Sequence, residues 1–417
     1  MPTNCSNPFA VYKSDMHYSI VKIIILFLLV FNPLSTFAND VEEMPIIAYF
    51  GVPDWKTSDE NFRIFSECGF TVSLYPYLSL DLLVKACRIA DKYGVKVLGK
   101  CPEMVSTPTK AANTLKRENG FYGYFIQDEP STPEIQQRQR DIEQLKRLDD
   151  THVFYINLHP YYHDSWVEPT LKVKTYPEYL KAASLTSCQQ LSFDFYPVTT
   201  AGIRPTWYHN LEMIRQESIR SDKPFWGFVL SVPHDVPFTP DTFYPTPTMG
   251  SLRLQVYSNL AYGAQAIQYF TYWSPTPRNY DYHDAPIDVN GKKTKTWALI
   301  QQMNRELKQV AKLFYGARVL SVHHLGVVPE GTTRQQKMPV NIRSLKIVGK
   351  QGAIISQIEK NGLRYLAIVN KSHEENLTVR LRYLNSKPRQ LTKQLKAVAV
   401  KSTYTVTPGD LLLFRLR

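Results

Sequence analysis

Residues 121–131 read Phe-Tyr-Gly-Tyr-Phe-Ile-Gln-Asp-Glu-Pro-Ser, an apolar run that halts on two adjacent carboxylates and a proline. Aromatic and β-branched residues suit a pleated, covered surface, so Tyr122–Gln127 reads as a buried strand. Pro130 cannot donate to a sheet ladder and ends it. Asp128 and Glu129 therefore stand at the carboxyl end of a buried strand, the end at which parallel α/β proteins collect their chemistry. Acids in such a place also serve as solvated loop starts or as favourable charges near a helix N-terminus. The choice between the two readings falls to the rest of the chain.

Outward from this stretch, strands and helices alternate. Strands are expected at 45–51, 71–75, 96–100, 122–127, 153–158, 191–196, 224–230 and 266–272. The helices between and after them fall at 59–68, 80–93, 109–117, 133–148, 176–185, 207–220, 251–262 and 297–314. Eight such units in this length imply a (β/α)8 TIM barrel. The competing doubly wound sheet lacks its glycine fingerprint, because the first turn reads Gly51-Val-Pro-Asp54. No P-loop is present.

Barrel chemistry sits on the strand-to-helix loops. These offer Asp54 and Trp55, then Tyr75 and Tyr77, Asp128 and Glu129, and Asn157, His159, His163 and Trp166. Further on come Asp194 and Tyr196, then His234 and Asp235, then Tyr272 and Trp273. Aromatic rings among acids and amides describe a sugar site, since a ring stacks on the apolar face of a pyranose while polar groups fix its hydroxyls. A phosphate substrate would want a glycine nest or an arginine cluster. The histidines lack a metal-binding register, so neither a metal nor a cofactor is expected.

The segments Gly123–Ser131, Ser-Phe-Asp-Phe-Tyr-Pro at 192–197, Lys-Pro-Phe-Trp-Gly-Phe at 223–228 and the run 252–273 ending Gln-Tyr-Phe-Thr-Tyr-Trp carry a resemblance. Together, and in this order, they resemble the β-galactosidase-like, family 42-type barrels of the retaining glycosidase clan. The resemblance implies that Glu129 is the acid/base residue closing strand four and that Trp273 stacks under the reacting sugar. It also implies a nucleophilic glutamate at the end of strand seven, where this chain reads Trp226-Gly-Phe-Val-Leu-Ser-Val-Pro-His-Asp235 and has none. The second carboxylate is then Asp194 or Asp235, or the substrate supplies its own nucleophile. In that last case the adjacent Asp128-Glu129 pair resembles that of N-acetylhexosaminidases. A carboxyl separation of about 5–5.5 Å would mark retention and about 6.5–9.5 Å inversion. An apolar wall of Phe125, Tyr196 and Trp273 is expected to raise the Glu129 pKa. Strand alternation places Asp128 on the opposite side from Glu129. Asp54, Trp55, Tyr75, Asp128, Asn157, His159, Tyr196, His234, Tyr272 and Trp273 are the expected substrate contacts.

The expected activity is hydrolysis of O-glycosidic bonds in oligo- or polysaccharides, β-galactosides being the sugar that the resemblance suggests. A catalytically silent glycan-binding barrel is the rival, supported by the missing strand-seven glutamate. A polysaccharide lyase would need a cationic site, and Arg278 is the one evident loop cation.

Residues 1–38 read as a secretory leader, with Lys22, the apolar run Ile23–Phe31 and the small-residue exit before Ala38. That run is short for a transmembrane span, so a secreted or periplasmic protein without a membrane anchor is expected. The barrel is expected over 39–315. From 316 to 417 short alternating runs and the turns Asn361-Gly362 and Pro408-Gly409 indicate a β-sandwich. Cys68, Cys87, Cys101 and Cys188 show no pairing pattern and read as buried thiols. The chain has 49 Lys and Arg against 37 Asp and Glu. Roughly 18 of those cations and about 5 of the acids fall in 317–417, so the sandwich carries nearly all the net charge. With an export leader and no RNA-binding motif, an anionic glycan or a cell surface is the fitting partner and nucleic acid is not.

Overall fold

The alternation of strands and helices resolves into a ring. A computed structural model describes residues 43–236, 242–276, 280–349, 352–384 and 386–416. The leader and Arg278 lie outside the described residues. The eight parallel barrel strands are β1 (Ile46–Tyr49), β2 (Val72–Pro76), β3 (Lys96–Lys100), β4 (Phe121–Asp128), β5 (Val153–Asn157), β6 (Leu191–Phe193), β7 (Phe225–Leu230) and β8 (Ala266–Phe270). They run in the order β5-β4-β3-β2-β1-β8-β7-β6. β5 meets β6 through one bridge, Leu158 with Phe193. Side-chain amides complete this seam. The Phe154 N–H donates to Gln189 Oε1 at 2.9 Å, and Gln190 Nε2 donates to the Phe154 carbonyl at 3.0 Å. β6 is too short to satisfy its neighbour's buried backbone groups, and glutamines do so instead.

Strand periodicity sorts the side chains into two layers. Ile47, Tyr49, Leu74, Leu98, Tyr122, Phe125, Tyr155, Trp226 and Phe228 fill the barrel axis. Ile46, Ala48, Val97, Tyr124, Phe154 and Ile267 face the helices. Those helices are α1 (Asp59–Glu67), α2 (Leu80–Asp91), α3 (Glu103–Ser106), α4 (Pro108–Leu115), α5 (Thr132–Lys146), α6 (Asp164–Leu171), α7 (Tyr176–Ser184), α8 (Trp207–Ser221), α9 (Met249–Tyr262) and α10 (Lys295–Phe314). Their starts follow ordinary capping. Ser58 and Ser79 accept N–H groups three residues on, and the Ser131 N–H donates to Glu134 Oε2 at 2.7 Å. The last of these caps begins α5 two residues after Glu129. The four described cysteines are free and buried. Among the described residues no helix is long and apolar enough to cross a membrane.

Beyond α10 two antiparallel sheets stack. One contains β9 (Arg318–Leu325), β11 (Ala353–Lys360), β12 (Leu363–Asn370), β17 (Leu411–Arg415), β14 (Arg389–Leu391) and β15 (Ala397–Val398). The other contains β10 (Ile342–Val348), β13 (Leu377–Tyr383) and β16 (Thr403–Val406). Ile355, Leu366, Ile368, Val379, Leu381 and Phe414 form the core between them. The larger sheet turns its other face, with Ile354, Ile358, Ala367 and Leu413, to the barrel helices. α9 is buried almost all round as a result. Two close approaches require glycine. A Cβ on Gly250 would lie 2.2 Å from the His373 carbonyl oxygen, and one on Gly409, whose φ is +64°, would lie 2.1 Å from that of Gly250.

A charge cluster locks this junction. Glu306 on α10 accepts from Arg253 on α9 (2.5 Å), from Lys393 (2.6 Å) and from the Tyr257 hydroxyl (3.1 Å). Lys393 also reaches Asp410 at 2.9 Å. Burial pushes the Glu306 carboxyl up, but Arg253 and Lys393 outweigh it and bring the pKa down to about 2. A depressed carboxyl adds stability that is complete above its unfolded value, about 4.3, and is lost as the pH falls through the folded value. Glu306→Gln should therefore cost about 2 kcal/mol in urea unfolding at pH 7. The gap to wild type should narrow as the pH falls from about 4.5 towards about 2; a gap that stays constant with pH would remove this cluster as the lock.

Candidate active site

β4 departs from plain alternation twice. Its registers slip against β3 and against β5, so Tyr122 and Phe125 face the axis while Tyr124 and Ile126 face the helices. Gln127 points to α5, where it accepts from Arg138 Nε at 2.8 Å. Asp128 points inward and accepts from Asn157 Nδ2 at 3.1 Å. The next residue would ordinarily turn outward. Glu129 instead has φ +43°, a left-handed conformation that costs an L-residue about 1–2 kcal/mol. The two carboxylates consequently share the mouth of the barrel, which corrects the expectation that alternation separates them. Neighbours hold the strained residue. The Glu129 N–H donates to the Asn157 carbonyl at 2.8 Å. The Tyr179 hydroxyl donates to the Pro130 carbonyl at 2.8 Å and receives the His159 N–H at 3.2 Å.

Beneath the mouth lies a connected set of donors and acceptors, in which Ser192 Oγ lies 3.0 Å from both the Tyr155 hydroxyl and Asn157 Oδ1. The Tyr155 hydroxyl donates to Gln268 Oε1 (2.8 Å), and Gln268 Nε2 donates to Ser192 Oγ (2.8 Å). Ser192 donates to Asn157 Oδ1 (3.0 Å), and Asn157 Nδ2 reaches Asp128. Each amide is oriented by the one before it, so the chain ends by presenting a donor to a carboxylate. Tyr49, from β1, adds a hydroxyl to Asp128.

Three carboxyls converge here. Asp194, just past β6, accepts from the Tyr196 hydroxyl at 3.1 Å through Oδ2, while its Oδ1 is buried without a hydrogen bond. Burial, and then the charges of Glu129 and Asp128, push Asp194 well above the ordinary carboxylate range; Tyr196 and Asn157 oppose this only in part. Asp128 is raised too, by burial and then by Glu129, against the pull of Asn157 and Tyr49. It is crowded by protein atoms yet reached by water through the mouth. The side chain of Glu129 is 36% exposed and lies 3.3 Å from His159 Nδ1. Desolvation thus falls hardest on Asp194.

The remaining expected contacts divide. Trp55 is 66% exposed and meets Tyr75 edge-on at 6.0 Å; Tyr75 touches Phe50 at 6.2 Å, giving one aromatic wall. Tyr196 stacks on Phe270 at 5.6 Å. Phe270, which the sequence reading missed, also approaches Tyr49, Phe50 and Tyr282 at 5.9–6.0 Å. Tyr272 and Trp273 are corrected. They are 1% and 4% exposed and pack in the outer layer, Tyr272 against Phe65 and Phe70 and Trp273 beside Ile287 and Gly291. Neither shows a face to the mouth. β8 ends at Phe270, two residues earlier than expected, and a period of two counted from Gln268 would have found it. Asp54 is buried and ties loops together through the Trp55 and Leu78 N–H groups. His234 is buried between Tyr244 and Tyr282, and burial pulls its pKa down to about 4. Asp235 pairs with Phe243 on a two-residue ladder beside His234 and Tyr244. β7 ends on Leu230 and Ser231, with no carboxylate. Among the described residues no group of three His, Cys, Asp or Glu could hold a metal ion.

A carboxyl that is raised on folding binds its proton in the native state but not in the unfolded chain. Stability then falls as the pH rises from about 3.9 towards the folded value. Asp194→Asn removes that penalty and should raise the melting temperature at pH 7–8 while changing it little near pH 4; destabilisation at pH 8 would contradict a desolvated Asp194. Asn157→Ala should instead cost about 1–3 kcal/mol, because it removes the amide donor from Asp128 and an acceptor from Ser192.

Residues 137–310 match the family model described as beta-galactosidase, glycoside hydrolase 42. The match begins after Glu129 and includes Asp194. No curated protein matches the chain. Beta-galactosidase from Bacillus circulans sp. alkalophilus superposes with a TM-score of 0.58 at 10% identity, over 89% of this chain and 99% of that one. A catalytic mutant of a GH42 beta-galactosidase from G. stearothermophilus also gives 0.58, at 8% identity over 89% and 98%. Eubacterium rectale Amy13B gives 0.53, at 9% identity over 89% and 95%. At such identities these likenesses speak to the fold. The fold is that of these β-galactosidases, a (β/α)8 barrel followed by a sandwich, and within the barrel residues 137–310 are similar to the glycoside hydrolase 42 family.

Proposed function

We propose that this protein is an exported glycosidase that cleaves O-glycosidic bonds in oligo- or polysaccharides by carboxylate acid–base catalysis, with a β-galactoside as the first substrate to try. The observation that carries the reading is the convergence of Asp128, Glu129 and Asp194 at the mouth. Glycoside cleavage needs one carboxyl protonated and one ionised. Three acids crowded at one mouth oppose one another's ionisation, and Asp194, the one withdrawn from water, is the group that burial and its neighbours' charges push to hold a proton. In this proposal Asp194 protonates the departing oxygen, and Glu129, beside His159, is its partner, as nucleophile or as base for a water. The roles that the family resemblance implies for strand four are thereby exchanged. Phe270, Tyr196, Tyr75 and Trp55 supply the faces on which sugar rings stack. Export rests on the leader pattern at 22–38.

One observation favours a second reading. Asp128 is held as an acceptor by Asn157 and Tyr49 directly beside Glu129. That arrangement would orient the acetamido group of an N-acetylhexosaminide for substrate-assisted cleavage.

Aryl glycosides differing in leaving group separate the roles. Asp194→Asn and Glu129→Gln should each lower kcat about 10²–10⁴-fold on a poor leaving group such as phenol. On dinitrophenol, which needs no protonation, Asp194→Asn should recover most of the loss and Glu129→Gln should not. The opposite pattern would return the acid to Glu129, and full activity in both variants would sink the proposal. The wild-type rate should fall at high pH, as Asp194 ionises, and Asp194→Asn should lose that high-pH limb.

A further inference from the structure

We propose that the outer face of the three-stranded sheet binds an anionic polysaccharide. This rests on the glycan reading of the barrel but concerns a surface remote from the carboxyl set. Along β13, Leu377, Val379 and Leu381 are buried in the sandwich core, so Thr378, Arg380 and Arg382 point outward. The register sets Arg380 between Lys346 on β10 and Thr403 on β16, Arg382 opposite Ser344, and Thr378 between Val348 and Thr405. Arg343 is exposed at the bulge where β10 begins. The ion pairs of this region among the described residues engage Arg318, Glu359, Lys393, Asp410, His373 and Glu374. Arg343, Lys346, Arg380 and Arg382 take part in none of them.

This arrangement works against the sheet. Like charges directly opposite across an antiparallel pair repel, and Lys346 faces Arg380 with Arg382 two residues along on the same face. Hydroxyl side chains would serve the fold there, as Ser344, Thr378, Thr403 and Thr405 do at neighbouring outward positions. A polyanion turns the repulsion into attraction. Guanidinium forks match sulfate and carboxylate oxygens in pairs, and the flanking hydroxyls suit sugar hydroxyls. The surface is a flat array rather than a cleft, which fits an extended chain with repeating charge. Nucleic acid fits it less well, because the outward positions carry Thr, Ser and Val rather than rings on which bases stack.

Affinity electrophoresis of the full chain through gels holding dextran sulfate, polygalacturonate or neutral dextran, with competition by duplex DNA, tests this. Wild type should be retarded by the two anionic glycans and not by neutral dextran, less so as salt rises. The variant carrying Lys346→Thr, Arg380→Thr and Arg382→Thr should bind about tenfold or more weakly, melt no lower than wild type, and hydrolyse aryl glycosides at the wild-type rate. Should the triple variant fail to fold, Arg380→Thr alone should still weaken binding about threefold. Unchanged binding in a folded variant, equal retardation by neutral dextran, or DNA displacing the glycans at equal charge would each overturn the proposal. Binding is read without turnover, so an inactive barrel whose sheet still binds the anionic glycans would sink the hydrolytic reading alone.

Discussion

Three carboxyl groups share a space in which water cannot neutralise them all, and much of the barrel's construction answers that constraint. An acid withdrawn from water without a partner gives up its charge rather than bear the cost. Asp194, pressed by burial and by two neighbouring charges, is the group that yields. The other two are met by hydrogen-bond donors or by solvent. Asp128 has the Asn157 amide and the Tyr49 hydroxyl, and Glu129 has water and His159. The buried chain from Tyr155 through Gln268 and Ser192 turns the Asn157 amide so that its N–H groups, not its oxygen, meet the charge.

The surrounding scaffold is stiff for the same reason. Glu129 sits in a left-handed conformation that a mobile loop would relax. It is held between the backbone of β5 on one side and a capped helix on the other, with Tyr179 pinning the adjacent loops together. The aromatic interior adds rigidity from below. Tyr49 touches Phe125 and Phe228, and Tyr155 touches Phe125 and Trp226, all within 6 Å. Bulky rings across the axis leave a core with little room to shift.

The sequence disclosed what depends on periodicity and on breaks in it. The barrel was legible because each strand keeps a covered apolar character and each helix its stripe, and Asp128 and Glu129 were legible because Pro130 ends their strand. Asp194 was legible as a strand-six acid, but its raised pKa was not, since that arises from burial in the folded barrel and then from the charges of Glu129 and Asp128, more than sixty residues away. Phe270 was missed, and Trp273 misplaced, through an error of two residues in where β8 stops. The shared side of Asp128 and Glu129 was hidden because two register slips and one left-handed residue leave no mark in composition. In the sandwich the short alternating runs were legible but the pairing of strands was not, and the neighbours of an outward residue such as Lys346 appear only with the register.

The absence of a carboxylate on β7 follows a geometric logic of its own. β6 stops at Phe193 after three residues, so Asp194 leaves the ladder one residue beyond the seam and is free to turn into the mouth. β6 is paired with β7, Ser192 lying opposite Trp226. A carboxyl from β6 therefore arises one strand away from where the resemblance would place it. The same shortness empties the β5–β6 ladder, and Gln189 and Gln190 fill it. A longer β6 would restore the ladder and make those glutamines unnecessary, but it would carry Asp194 into the regular alternation of the sheet. The irregular seam and the buried acid are two results of one short strand.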